Sequence, residues 1–157
     1  MTSQRDFGFL LKGVARLCSK NFERQARDLG LSLSQCKVLV YLARSEGVSQ
    51  ARLAELTETD PMTLVRILDR MEHDQWIERR PDAADRRANR LYLKENARPV
   101  LARIWKVSDQ ARDVALSGLA AAEREQFVEL LNRVHNNLSA LDLGDKDKSA
   151  PTPSRKA

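Results

Sequence analysis

The chain has 157 residues, 42% hydrophobic and 31% charged, the proportions of one globular unit able to bury a core. Its 6 glycines and 5 prolines supply too few turns for a strand-rich sandwich or barrel, and no run of about 18 apolar residues crosses a membrane. A net charge of +5, from 27 basic and 22 acidic residues, is a faint pull towards polyanions and says nothing of fold.

From Arg5 to Leu29, Phe7, Leu10, Leu11, Val14, Leu17, Cys18 and Phe22 recur mostly at spacings of three and four. That period predicts an amphipathic helix, with Gly30 as its left-handed stop. Ser32 or Ser34 caps a second helix whose Cys36, Val38, Leu39 and Leu42 face inward, and Ser45-Glu46-Gly47 ends it. A short helix follows from Gln50 to Leu56, with Ser49 as N-cap and Ala51, Leu53, Ala54 and Leu56 on its apolar side.

Asp60-Pro61 marks the next helix start, because Asp60 accepts from free amides and proline has no N–H to lose at the first position. This helix is expected to run to Asp74 on an apolar stripe of Leu64, Ile67, Leu68 and Met71. Thr63, Arg66 and Arg70 share a different face by the same period. The pattern then changes to two short strands, Trp76–Arg80 and Arg90–Leu93, around a loop with the turn formers Pro81, Asp82 and Asp85. Five arginines stand in this hairpin: Arg79, Arg80, Arg86, Arg87 and Arg90. Arg79 and Arg80 alternate faces, so at most one of them easily reaches a phosphate.

Helical spacing resumes from Glu95 through Val100, Leu101, Ile104, Trp105, Ser108 and Ala111, and breaks at Ser117-Gly118. A last helix from about Ala122 carries Phe127, Leu130, Leu131, Val134, Leu138 and Leu141 on one stripe, the pattern of a helix that pairs with another. Beyond Gly144 the chain is too polar to pack, and residues 144–157 are expected to be a disordered tail.

The middle of the chain thus reads helix, turn, helix, then an arginine-rich hairpin: a winged helix-turn-helix. A helix exposing Thr63, Arg66 and Arg70 can enter a major groove, where arginine reads guanine N7 and O6 through two hydrogen bonds. An arginine at a hairpin tip can enter a narrow minor groove.

The stretch Leu53–Leu93 resembles the core of the MarR family of bacterial transcriptional regulators. "DRRANRLYL", Asp85 to Leu93, matches that family's wing signature, and "LVRILDRME", Leu64 to Glu72, its recognition helix. The details "LVR" and "DRRA" most resemble the SlyA-like branch. Three positions depart from the family pattern: Gln75 replaces a frequent glycine before the first strand, Lys94 a threonine after the second, and Ala97 a glycine soon after.

The resemblance implies a mainly α fold with a small β-hairpin. Residues 31–94 would form the winged helix-turn-helix, and 1–30 with 95–143 an all-helical dimerisation domain. It implies a homodimer on a pseudo-palindromic operator in double-stranded DNA, with a small aromatic carboxylate or phenolic ligand as modulator. Met62, Thr63, Arg66 and Arg70 are the DNA-binding candidates of the recognition helix, and Asp85, Arg86 and Arg87 those of the wing. Arg66 would reach bases, Arg87 would enter the minor groove, and Asp85 would brace the wing against an arginine. Arg16, Val38, Tyr41 and Trp105 are candidate ligand-pocket residues. The competing reading is a helical dimeric interaction module that binds protein and not DNA.

No enzyme is expected, since no glycine-rich phosphate loop and no nucleophile with a histidine partner appears. No metal or cofactor is expected either, because Cys18, Cys36, His73 and His135 lie far from any ligand spacing. The polar start, Met1 to Asp6, has no secretory pattern, and two cysteines make no disulfide framework, so a cytoplasmic protein is expected. Cys18 and Cys36 fall on apolar helix faces, where thiols are usually buried and inert.

Overall fold

Short polar side chains decide where the helices of the middle segment begin. The computed structural model describes residues 4–83, 85 and 88–148. Helix α1 covers Phe7–Gln25, between single 3-10 turns at Gln4–Asp6 and Arg27–Leu29, and Gly30 closes it at φ 67. Helix α2 (Leu33–Arg44) opens with a capping box. Ser32 Oγ accepts from the Gln35 amide at 3.2 Å, and the Ser32 amide donates to Gln35 Oε1 at 2.8 Å. Helix α3 (Gln50–Thr57) starts where Ser49 Oγ accepts from the Arg52 amide at 3.2 Å. Helix α4 (Pro61–His73) starts where Asp60 Oδ1 accepts from the Thr63 amide at 3.0 Å, with proline at its first position.

The strands are β1 (Val48–Ser49), β2 (Ile77–Pro81) and β3 (Asn89–Leu93), antiparallel in the order β1-β3-β2. Ile77 stands opposite Leu93, Arg79 opposite Leu91, and Val48 also opposite Leu91. After a 3-10 turn at Glu95–Ala97 comes α5 (Arg98–Ala115), and after Gly118, at φ 86, comes α6 (Ala121–Lys148). By internal contacts the chain divides into two compact units, the first ending at Ala115 and the second beginning at Leu116.

The core of the first unit lies where α2, α3, α4, α5 and the sheet converge. Val38, Leu39, Leu42, Leu53, Leu64, Leu68, Met71, Leu91 and Ile104 are fully buried there. Burying each such large aliphatic side chain stabilises by about 1.5–3 kcal/mol. Two polar bonds tie α1 to α5: Asn21 Nδ2 donates to the Ala111 carbonyl at 3.0 Å, and Arg103 donates to the Asp28 carbonyl just beyond α1 at 2.9 Å.

The six α-helices and the hairpin stand where the spacing places them, with four differences. The hairpin is part of a three-stranded sheet, because Val48-Ser49 adds an edge strand too short to leave a periodic trace. In α3 the buried set is Leu53, Ala54 and Thr57, while Ala51 is exposed. Thr57 is admitted because its hydroxyl donates back to the Leu53 carbonyl at 2.8 Å. In α5 Val107 joins Leu101, Ile104 and Ala111 inside. Finally, α6 runs to Lys148, past Gly144 where the tail was expected to begin. A single glycine costs a helix only about 1 kcal/mol, and no proline intervenes before Pro151. Residues 149–157 lie outside the described residues.

Two backbone positions give opposite mutational outcomes. Gly47 has φ 77, and a Cβ there would come 3.1 Å from the Tyr92 hydroxyl. Gly47→Ala should therefore destabilise by about 1–3 kcal/mol. Glu58, the α3 C-cap, has φ 51 although it carries a side chain. Glu58→Gly should stabilise by about 1 kcal/mol. Thermal unfolding checks both, with the midpoint falling by several degrees in the first and rising by about 2–4 °C in the second.

Candidate nucleic-acid interface

Burial of one side of α4 fixes what its other side shows. Leu64, Leu68 and Met71 are fully buried and Ile67 packs beside them, so the opposite side of the helix faces outward. Met62, Thr63, Arg66 and Arg70 are all exposed, and Met62 is 66% accessible although apolar. Among the described residues no ion pair engages Arg66. Arg70 is held only loosely, its Nε 3.8 Å from Asp74. The two other acids near it in sequence, Asp69 and Glu72, are engaged elsewhere: both pair with Arg79.

Alternation along β2 sorts its arginines. Arg79 shares a face with the buried Ile77, and its side chain is mostly covered. Arg80 is on the opposite face. Its guanidinium lies 4.2 Å from the centroid of the Tyr92 ring, and it also pairs with Glu78. Arg90 is a brace: Nε donates to Asp82 Oδ2 at 2.6 Å and Nη1 to the Gly47 carbonyl at 3.0 Å. It thereby ties the hairpin to the turn before β1. The loop is closed further by backbone bonds, from the Asp82 amide to the Ala88 carbonyl at 3.0 Å and from the Ala88 amide to the Asp85 carbonyl at 2.9 Å.

The structure thus shows a wing brace at Asp82, a residue the sequence marked only as a turn former. Asp85 is exposed, and its carbonyl also accepts from the Ala88 amide in the loop. Arg86 and Arg87 lie outside the described residues.

The turn from α4 into β2 contains two of the departures from the family pattern, and they meet. Gln75 takes the left-handed conformation at φ 59, which glycine adopts without strain. Its side-chain Nε2 donates to the Glu72 carbonyl at 3.1 Å, and its Oε1 accepts from Lys94 Nζ. Lys94 also donates its backbone amide to the Trp76 carbonyl at 2.8 Å. The side-chain bonds offset part of the conformational cost at Gln75. The third departure, Ala97, is fully buried, so a small residue is still required there.

The cysteines separate. Cys36 is buried in the α2 core, and that burial pushes its thiol up to about 11, against a smaller lowering from a backbone hydrogen bond. Cys18 is exposed on α1, contrary to the expectation of a buried thiol. Position 18 is on the apolar side of α1, and that side is open in the single chain. Trp105 is partly exposed, with Arg44 stacked 5.5 Å from its ring centroid. Among the described residues no group of histidine, cysteine and carboxylate side chains is arranged to hold a metal. No helix among them is long and apolar enough to cross a membrane.

The model of the MarR family matches residues 31–88, the segment from the start of α2 through the hairpin loop. An uncharacterised HTH-type transcriptional regulator of Bacillus subtilis (strain 168), YybA, is 27% identical over 134 residues, which are 85% of this chain and 87% of that protein. The crystal structure of the transcriptional regulator PA3341 is 31% identical with a TM-score of 0.73, covering 85% of this chain and 98% of that one. That of the transcriptional regulator SlyA is 28% identical with a TM-score of 0.70, covering 86% and 95%.

The Cys36 environment sets a pH dependence. The folded thiol holds its proton above the ordinary value of 9.0, so stability is unaffected below about pH 9 and falls as pH rises from there towards 11. Thiol labelling at pH 8 should leave Cys36 unmodified in the native protein and modify it on unfolding. Native labelling of Cys36 would contradict the buried placement. At the turn, Gln75→Gly should be neutral or stabilising by up to about 1 kcal/mol in Lys94→Ala protein, and less so with Lys94 present. A double-mutant cycle read by denaturant unfolding checks the coupling.

Proposed function

Because the chain belongs to the MarR family of DNA-binding transcriptional regulators, we propose that it acts as a homodimer on a pseudo-palindromic operator. Each winged unit takes one half-site. The observation that carries this reading is α4, which buries one stripe and turns Thr63, Arg66 and Arg70 outward next to a braced hairpin. Arg66 reads bases in the major groove, Met62 and Thr63 contact the groove edge at the capped start of the helix, and Arg70 contacts the backbone. Asp85, Arg86 and Arg87 serve the wing, with Arg87 in the minor groove.

The dimer uses 1–30 and 95–143. Two observations support it: α1 exposes Phe7, Phe9, Leu10, Val14 and Leu17, and α6 exposes Phe127, Leu130, Leu131, Leu138 and Leu141. Apolar area of this extent in a water-soluble regulator favours burial against a second copy. The "LVR" and "DRRA" tracts and the 28% identity to SlyA favour the SlyA-like branch. The protein acts in the cytoplasm, where its DNA is.

A small aromatic carboxylate or phenol modulates operator affinity. Arg44 and Trp105 offer a cation and an aromatic face side by side, with Tyr41 one turn before Arg44 on α2. Such a ligand acts by population shift: it favours a separation of the two recognition helices that no longer matches the half-site spacing.

Gel shift on the duplex upstream of the protein's own gene tests the reading. Binding at nanomolar to micromolar protein is expected, with affinity falling steeply as salt rises. Arg66→Ala should cost about 1–3 kcal/mol and relax base preference at one position per half-site. Absence of any shift at moderate salt would favour the protein-interaction module instead. Sedimentation should give twice the chain mass.

A further inference from the structure

Among the described arginines of the hairpin, Arg79 is the one that points away from solvent. Its Nη2 donates to Asp69 Oδ1 at 2.6 Å and its Nη1 to Glu72 Oε2. The backbone amide of the same residue donates to Glu72 Oε1 at 3.2 Å, so both oxygens of Glu72 are spent on it. The side chain is only 17% exposed. Asp69 and Glu72 both belong to α4, one residue on either side of Arg70 and Met71, so one strand residue holds the helix through three donors.

The position of this clamp matters because the covalent link is short. Only Asp74, Gln75 and Trp76 join α4 to β2, and rotation about that turn would swing the hairpin against the helix. The strand from Ile77 to Pro81 is an arm of about 13 Å at ordinary strand rise. A rotation of about 13° at its root moves the far end by about 3 Å, as long as a whole hydrogen bond.

We propose that Arg79 is a positioning residue for DNA recognition: it touches no DNA and sets the angle between wing and recognition helix. The proposal rests on the DNA-binding function stated above. The arginine fork is needed, since a lysine ammonium cannot hold both carboxylates in one plane.

Fluorescence-anisotropy titration of the full chain on the upstream duplex, at several salt concentrations, tests it alongside amide hydrogen exchange. Arg79→Met should weaken binding tenfold or more with the slope of log affinity against log salt unchanged, because no phosphate contact is lost. Exchange in β2 and β3 should rise while that in α2 stays as it was. Arg79→Lys should recover part of the loss. A slope reduced by about 0.9 would make Arg79 a phosphate contact and overturn the proposal. So would unchanged affinity, and so would exchange that rises equally in α2, the mark of a general structural role. Should Arg79→Met fail to fold, Glu72→Gln, nearly isosteric, carries the same test, with a loss of threefold or more and the same slope. If the wild-type protein binds no duplex, the DNA-binding reading fails before this one is reached.

Discussion

Everything at the candidate DNA-binding surface depends on how α4 is seated. Leu64, Leu68 and Met71 enter one core with Leu39, Leu42, Leu53, Ile77 and Leu91. Three buried positions at spacings of four and three leave a helix no rotational freedom, since turning it would bring apolar atoms into water at about 25 cal/mol per Å². The outward presentation of Thr63, Arg66 and Arg70 is the other half of that constraint. The aspartate cap and proline at the start fix where the helix begins, so the burial fixes its roll and the cap fixes its register.

Given that seat, the acids decide which arginines are available. The segment from Arg66 to Arg90 holds basic and acidic side chains in close succession, and proximity in sequence does not say who pairs with whom. In the fold, Asp69 and Glu72 go to Arg79, Asp82 to Arg90 and Glu78 to Arg80. Arg70 keeps only a long contact to Asp74. Strand alternation drives this division. Arg79 falls on the core side of β2, within reach of α4, while Arg80 falls on the other and stacks on Tyr92. Exposed ion pairs add little to stability, but here they are informative about direction: each pair made inside the domain removes one cation from those the surface can offer to DNA.

This explains which parts of the molecule could be read from the sequence. Apolar spacing and capping residues are local signals, and Ser32, Ser49 and Asp60 all cap the helices that follow them. Features that need two distant segments were not legible. Strand β1 is two residues whose partners, Leu91 and Arg90, stand more than 40 positions on. Gln75 and Lys94 each look like a lone departure until the fold brings their side chains together. The bracing role of Asp82 depends on the β2–β3 register, which places Pro81 opposite Asn89 and Asp82 just beyond. The separate fates of Arg79 and Arg80 depend on the same register, which also decides which side of the sheet meets α4.

The apolar residues left outside complete the physical account. In α1, Phe9 is 84% exposed, and Phe7, Leu10, Val14 and Leu17 are exposed along the same helix. These side chains contribute nothing to the core of the first unit, where α1 is anchored to α5 in part by the polar bonds of Asn21 and Arg103. A helix that shows water its hydrophobic side and its neighbours a partly polar one is specified for a further contact, because folding alone gives that sequence no reward. The proposed second copy supplies the contact. The two parts of the sequence then obey different demands: the winged segment buries its apolar stripes and exposes charge, while α1 and α6 leave apolar stripes exposed for the proposed assembly. A substitution in one set can alter DNA affinity with the assembly intact, and a substitution in the other can do the reverse.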